Sequence, residues 1–157
     1  MDESSNIRWV IERARVIDVI VGFANAMDAK DWQKLRTSLA DEVDIDYSAF
    51  RGEAPRLVTA EEYVKQRVDG LAGLLTLHIS TNHEVTILGD CASCQSAYRI
   101  YRLDPTRESG QSRLDTAGNY IHRLVQADGY WRINGIKQTV VLQSGNRQVH
   151  GALRNTP

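Results

Sequence analysis

The sequence predicts a single α+β domain in which N-terminal helices close over a strongly curved antiparallel sheet and leave a pocket for a small molecule. Three observations lead there. An apolar stripe at helical spacing runs from Ile7 to Met27. The order over 7–69 is helix, helix, strand, helix, and everything after Gly73 is β in character. The chain of 157 residues, 42% hydrophobic and 25% charged, falls within the range of one domain with a real core.

The first helix is expected to start at a Ser4 or Ser5 cap. Ile7, Val10, Ile11, Ala14, Ile17, Ile20, Val21, Ala24 and Met27 then recur at steps of three and four, while Arg8, Glu12, Arg13 and Arg15 lie mostly off that line. Some twenty residues at about 1.5 Å each give a rod of roughly 30 Å, long enough that it must lie along a sheet. Ile17, Val21 and Ala24 are expected to be buried there. A second helix over 31–40 turns Trp32, Leu35 and Leu39 inward, and 43–47 alternates as a short strand. The stretch 51–57, with Gly52 and Pro55, is loop. Thr59-Ala60-Glu61-Glu62 has the form of a capping box and opens a third helix to about residue 69. Strands follow over 75–87, interrupted near 80–83, and over 91–103. Two more, 114–126 and 130–143, join across the hairpin turn Asp128-Gly129. The core thus runs from about 7 to 143 within a single domain of 1–157. The polar tail 144–157, with His150, is expected to be loosely held and outside any site.

Composition excludes several functions. A formal net charge of −1 offers no electrostatic case for nucleic acid or an anionic membrane surface. No apolar run approaches the roughly 18–20 residues that span a bilayer. The opening Met1-Asp2-Glu3-Ser4-Ser5 lacks the basic-then-apolar order of a secretory signal, so a cytoplasmic protein is expected. Cys91 and Cys94 form a lone C-x-x-C, but within a strand residues three apart point to opposite faces, which leaves them as small sheet residues and not a metal or redox pair.

The residues that could carry chemistry are few. Asp28 follows Met27 where the next inward residue of the first helix would fall, and it could equally cap the break between helices. His78 sits in the apolar run Leu75-Thr76-Leu77-His78-Ile79, where a satisfied core histidine is the plainer alternative. Strand parity groups Gly118, Tyr120, His122 and Leu124 on one face, so Tyr120 and His122 could line a pocket. His83, near the strand break, is expected to be exposed.

The segment Met27-Asp28-Ala29-Lys30-Asp31-Trp32, followed by Leu35-Arg36 and by Val43-Asp44-Ile45-Asp46-Tyr47-Ser48-Ala49-Phe50, resembles the scytalone dehydratases. It also resembles the bile-acid dehydratases and SnoaL-like polyketide cyclases, all of the nuclear-transport-factor-2-like fold. Leu77-His78-Ile79-Ser80-Thr81-Asn82 and Asp128-Gly129-Tyr130-Trp131-Arg132-Ile133 fit the same pattern. The resemblance spans about 7–143 and implies a cone: a bent sheet around a cavity, its open end closed by three helices. It implies that Asp28 and His78 form a buried dyad and that Tyr47 donates to a substrate carbonyl. Trp32, Arg102, Tyr120 and His122 are the accompanying candidates for substrate contact. Departures are plain: Met27 replaces a tyrosine, Gly118 and Tyr120 stand where the scytalone enzymes have serine and asparagine, and the second histidine falls at Tyr101 or Arg102.

The resemblance therefore implies a dehydratase or isomerase that needs no cofactor or metal and acts on a small apolar cyclic carbonyl compound other than scytalone. Aldol ring closure in the same pocket is the cyclase variant. A non-catalytic small-molecule binder is the alternative from another class, since a fold alone does not settle function. A homo-oligomer, trimer or dimer, is also implied, and Ile136, Val140, Val141 and Leu142 are the residues that would support it through the outer sheet face.

Overall fold

The structure is a computed structural model that describes residues 3–151. The chain begins with helices α1 (Glu3–Ala29) and α2 (Trp32–Thr37), then strand β1 (Leu39–Asp46), the single turn α3 (Ser48–Arg51), β2 (Arg56–Thr59) and α4 (Ala60–Leu71). A meander completes it: β3 (Leu75–Leu88), β4 (Cys91–Leu103), β5 (Arg113–Ala127) and β6 (Tyr130–Gly145), with a closing 3₁₀ turn at Arg147–Val149. The six strands form one sheet in the order β2-β1-β6-β5-β4-β3. α1 packs on β3, and α4 packs on β1 and β2.

Two features of the sheet differ from expectation. It is mixed, because β1 runs parallel to β6 while every other pairing is antiparallel. The chain returns to β1 only after the whole β3–β5 meander, so no hairpin forces the opposite direction. The sheet is also open, with β2 and β3 as its edges, and helices cover the concave side without a closing strand pair. A fourth helical segment, α3, and the short strand β2 flank the expected loop and shorten it to residues 52–55.

The rod of α1 lies along the sheet as its stripe requires, but turned about its axis. Its buried residues are Val16, Ile20, Phe23, Ala26 and Met27, while Val21 is exposed and Ile17 and Ala24 are only half-buried. Each of the last three lies next to a buried residue, about 100° away around the helix. α1 carries apolar residues on two adjacent faces, and spacing alone does not say which one the sheet takes. Trp131 at the start of β6 settles it by donating from Nε1 to Glu12 at 2.8 Å.

Local signals act where the sequence places them. Thr59 and Glu62 complete a reciprocal capping box at the start of α4. Asp128 and Gly129 both adopt positive φ, as a two-residue hairpin turn demands. The break in β3 is a register shift between Thr81 and Glu84, with Asn82 in the left-handed region. Along β4, Ala92, Cys94, Ser96, Tyr98, Ile100 and Arg102 alternate inward. Cys91 and Cys94 are accordingly free, one exposed and one buried, and burial pushes the Cys94 thiol up to about 11. Ile136 is buried and so unavailable to an outer interface, whereas Val141 and Leu142 are exposed.

Gly118 shows how closely the sheet is built. A β-carbon there would stand 2.0 Å from the Thr139 carbonyl oxygen, at the point where the β5–β6 register shifts. Gly118→Ala is expected to prise β5 from β6 and to cost about 1–3 kcal/mol in urea unfolding. A midpoint unchanged within error would show that the backbone yields freely there.

Candidate active site

The end of α1 is set by a Schellman-type turn: the Asp31 amide donates to Ala26 O at 2.9 Å and the Lys30 amide to Met27 O at 3.4 Å. Lys30 takes the left-handed position, φ 59, usually left to glycine. Its ammonium group reaches back to Met27 O at 3.2 Å and to Thr76 Oγ1 at 3.0 Å, which fastens this turn to β3. The fold thereby delivers Asp28 to the edge of the sheet.

Asp28 is surrounded by donors from β3. Its Oδ1 lies 2.5 Å from His78 Nδ1 and 2.8 Å from Thr76 Oγ1, and its Oδ2 accepts from the His78 backbone amide at 2.7 Å. The side chains of Asp28 and His78 are 18% and 8% exposed. Burial opposes the charge on Asp28, but the bonds from His78 and Thr76 outweigh it and hold the carboxyl below its ordinary value. Burial likewise lowers His78, against the pull of Asp28, so the imidazole is neutral at pH 7. With Nδ1 turned to a carboxylate, the proton sits there and the Nε2 lone pair is free.

β3 is inverted relative to an ordinary half-buried strand. Leu75, Leu77 and Ile79 face solvent at 62, 53 and 40% exposure, while Thr76, His78 and Ser80 face inward. His78 thus faces the cavity side of the sheet.

Two small adjoining cavities meet at Met27, His78, Ile100 and Tyr120. The first is the more polar and reaches Tyr47, Arg51, Arg67 and Arg102. The second is lined by apolar residues of α1, among them Ile20 and Phe23, with Tyr98 and His122 opposite. A wider depression on the outer sheet face has its charges paired, Arg123 with Asp44 and Lys137 with Asp46.

Tyr47, buried at the start of α3, is bonded hydroxyl to hydroxyl with Tyr63 of α4 at 2.8 Å. The phenols of half-buried Tyr120 and buried Tyr63 are raised well above their ordinary value by burial, hence neutral donors. Arg102 faces inward and donates to Thr116 Oγ1 at 3.0 Å, whereas Tyr101 is half-buried. His122 is buried, edge-on to Phe23, with neither ring nitrogen bonded.

Three placements differ from expectation. Trp32 opens α2 and packs half-buried against the core, away from the residues lining either cavity, because α2 is shorter and turned toward α4. His83 is half-buried at the β3 break, with Nε2 2.9 Å from Ser80 Oγ. His150 is 3% exposed and lines the first cavity, edge-on to Phe50 at 5.3 Å between ring centres. The segment carrying it is held by Arg147 to Phe50 O, by Arg107 to Gln148 O and by Asn146 to Gln111 O. Neither Arg51 nor Arg67 was among the expected site residues. A signal existed for Arg67, which shares the 60, 63, 67, 71 stripe of α4 with Ala60, Tyr63 and Leu71.

A bent sheet roofed by a long helix, with a carboxylate–imidazole pair facing its cavity, defines a domain of the nuclear-transport-factor-2-like type. Residues 10–137 match the family model of the SnoaL-like domain, and the chain belongs to that family. A dehydratase of Aspergillus candidus, cfoI, is 31% identical over 87% of this chain and 89% of its own. The Kfla4162 protein of Kribbella flavida superposes with a TM-score of 0.81 at 26% identity, covering 84% of this chain and 92% of its own. A candidate scytalone dehydratase of Novosphingobium aromaticivorans has a TM-score of 0.75 at 13% identity, over 86% and 87% of the two chains, a likeness of fold alone. Among the described residues no helix is long and apolar enough to cross a membrane, and no cluster of His, Cys, Asp and Glu could hold a metal ion.

Burial holds His122 at about 4, with His83 adding to the effect, and His150 at about 2. A histidine depressed in the folded state favours folding fully above its ordinary pKa of 6.5, and that advantage is lost as pH falls from there toward the folded value. For His122 alone the loss approaches on the order of 3 kcal/mol. The thermal midpoint is expected to fall between pH 6.5 and 4, and less steeply in His122→Phe. Parallel curves for the two proteins would refute this account of the acid limb.

Proposed function

We propose that the protein is a dehydratase of the lyase type that works by proton transfer at His78. The observation that supports it most is the contact of 2.5 Å between His78 Nδ1 and Asp28 Oδ1, with the ring at the junction of both cavities. Substrate binds with the carbon next to its carbonyl beside Nε2. The imidazole takes that proton, and Asp28 stabilises the imidazolium that results. The Tyr47–Tyr63 pair has two hydroxyl protons, of which one is used between the two oxygens. The other is free to donate to the carbonyl oxygen as it becomes an enolate. Loss of the β-hydroxyl, protonated by the same imidazolium, releases water and restores neutral His78. The named dehydratase relative favours this outcome over isomerisation or ring closure, which share the first step.

The chemistry can be followed without the natural substrate, through deuterium exchange at the α-carbon of 2-tetralone in D2O by NMR. His78→Ala and Asp28→Asn are expected to slow catalysed exchange by about 10²–10⁴-fold, and Tyr47→Phe to slow it less. Folded His78 and Asp28 variants that exchange within a few-fold of the parent would leave a binding site without a catalyst.

A second measurement uses pH. Neutral His78 is the active form and burial lowers its pKa, so the rate is expected to hold as pH drops through 6.5 and to fall only below it. An acid limb centred above 6.5 would exclude His78 as the base.

A further inference from the structure

The first cavity is cationic and, among the described residues, holds no counterion. Arg51 from α3, Arg67 from α4 and Arg102 from β4 all line it, at 6, 6 and 3% exposure. Among the described residues no carboxylate forms an ion pair with any of the three. The Nε of each, and Nη2 of Arg67, are buried and donate to nothing. Their neighbours are ring faces: Arg51 stands 4.8 Å over Tyr47, Arg67 5.3 Å and 4.8 Å over Tyr47 and Tyr63, and Arg102 5.3 Å over Phe50. Aromatic faces attract a cation but accept no full hydrogen bond from its edge. Asp28, the carboxylate nearest the reacting centre, is already committed to His78 and Thr76. Burial and the Arg67 and Arg51 charges push Arg102 down to about 10, so it remains protonated at neutral pH.

Three buried charges of one sign disfavour the empty fold. What they share is a place in the lining of the first cavity, where their positive charge favours an anion. A guanidinium fork matches a carboxylate with two parallel bonds. We propose that the substrate carries a carboxylate, which Arg51, Arg67 and Arg102 receive while its ring framework occupies the apolar cavity beneath α1. This rests on the cavity being the reaction site, and it deepens that assignment by replacing a purely apolar substrate with an amphiphilic one. His78, at the junction of the two spaces, then faces the carbon between the charged end and the ring.

The test is a binding comparison on the full chain by calorimetry, with 2-naphthoate against its neutral counterpart 2-naphthamide. Naphthoate is expected to bind about 10- to 100-fold more tightly than the amide. Arg67→Gln and Arg102→Gln should each remove most of that preference while leaving amide affinity within a few-fold. Because each deletes an unpaired buried charge, the ligand-free thermal midpoint should stay level or rise, which a purely structural arginine would not allow. Equal binding of acid and amide by the parent protein overturns the proposal without recourse to any variant, as does a preference that survives both substitutions. His78→Ala should keep the naphthoate preference while losing exchange of 2-tetralone, so failure of the proton-transfer mechanism and failure of the carboxylate site give different results.

Discussion

The carboxylate of Asp28 joins the end of α1 to the free edge of β3, and the rest of the site is arranged around that junction. An edge strand leaves backbone amides without partners, an invitation to pairing with other chains. Here the outward amide of His78 is satisfied by the same carboxylate that holds its ring. One group thus caps the sheet, anchors the helix and fixes the imidazole. Lys30 supports it from a backbone conformation that costs a non-glycine residue energy, offset by its bonds to Met27 and Thr76. Positioning and stability are coupled at this corner, and a change there is felt in both.

Elsewhere the two pull apart. The core beneath α1 is apolar and closely packed, from Val16 and Ile20 to Leu124 and Ile133. A few residues further along the same concave surface, guanidiniums, phenols and imidazoles sit buried with several donors unused. Such a region resists optimisation for stability alone, because filling it with hydrocarbon would erase the polar groups that the proposed substrate meets.

Much of this was legible in the sequence, and the gaps have physical causes. The helix order, the meander, the capping box and the Asp128-Gly129 hairpin are local features, written by neighbours in the chain. Asp28 and His78, fifty positions apart, became a pair only through the family resemblance of the segments around them. The buried face of α1 was misplaced because two adjacent faces are apolar and only contact with β3 and Trp131 chooses between them. Arg51 and His150 were invisible for a different reason. Each lies in a short irregular segment with no periodicity, and each is buried by tertiary contacts alone, His150 against Phe50 and Arg51 over Tyr47. Arg67 carried a readable sign, a cation on the apolar stripe of α4.

The closing turn after β6 lies beyond the stretch that the family pattern covers, which stops at residue 137. Yet Gly151 touches Gly70 at the end of α4, and Val149 is wholly buried. The lack of a side chain at Gly151, where a β-carbon would stand 3.2 Å from Gly70 Cα, allows the two backbones to meet, and His150 beside it becomes part of the chamber wall. Domain borders drawn by homology would therefore cut through masonry and not through a trailing end. A substitution at His150 would therefore reshape the chamber without touching the Asp28–His78 pair.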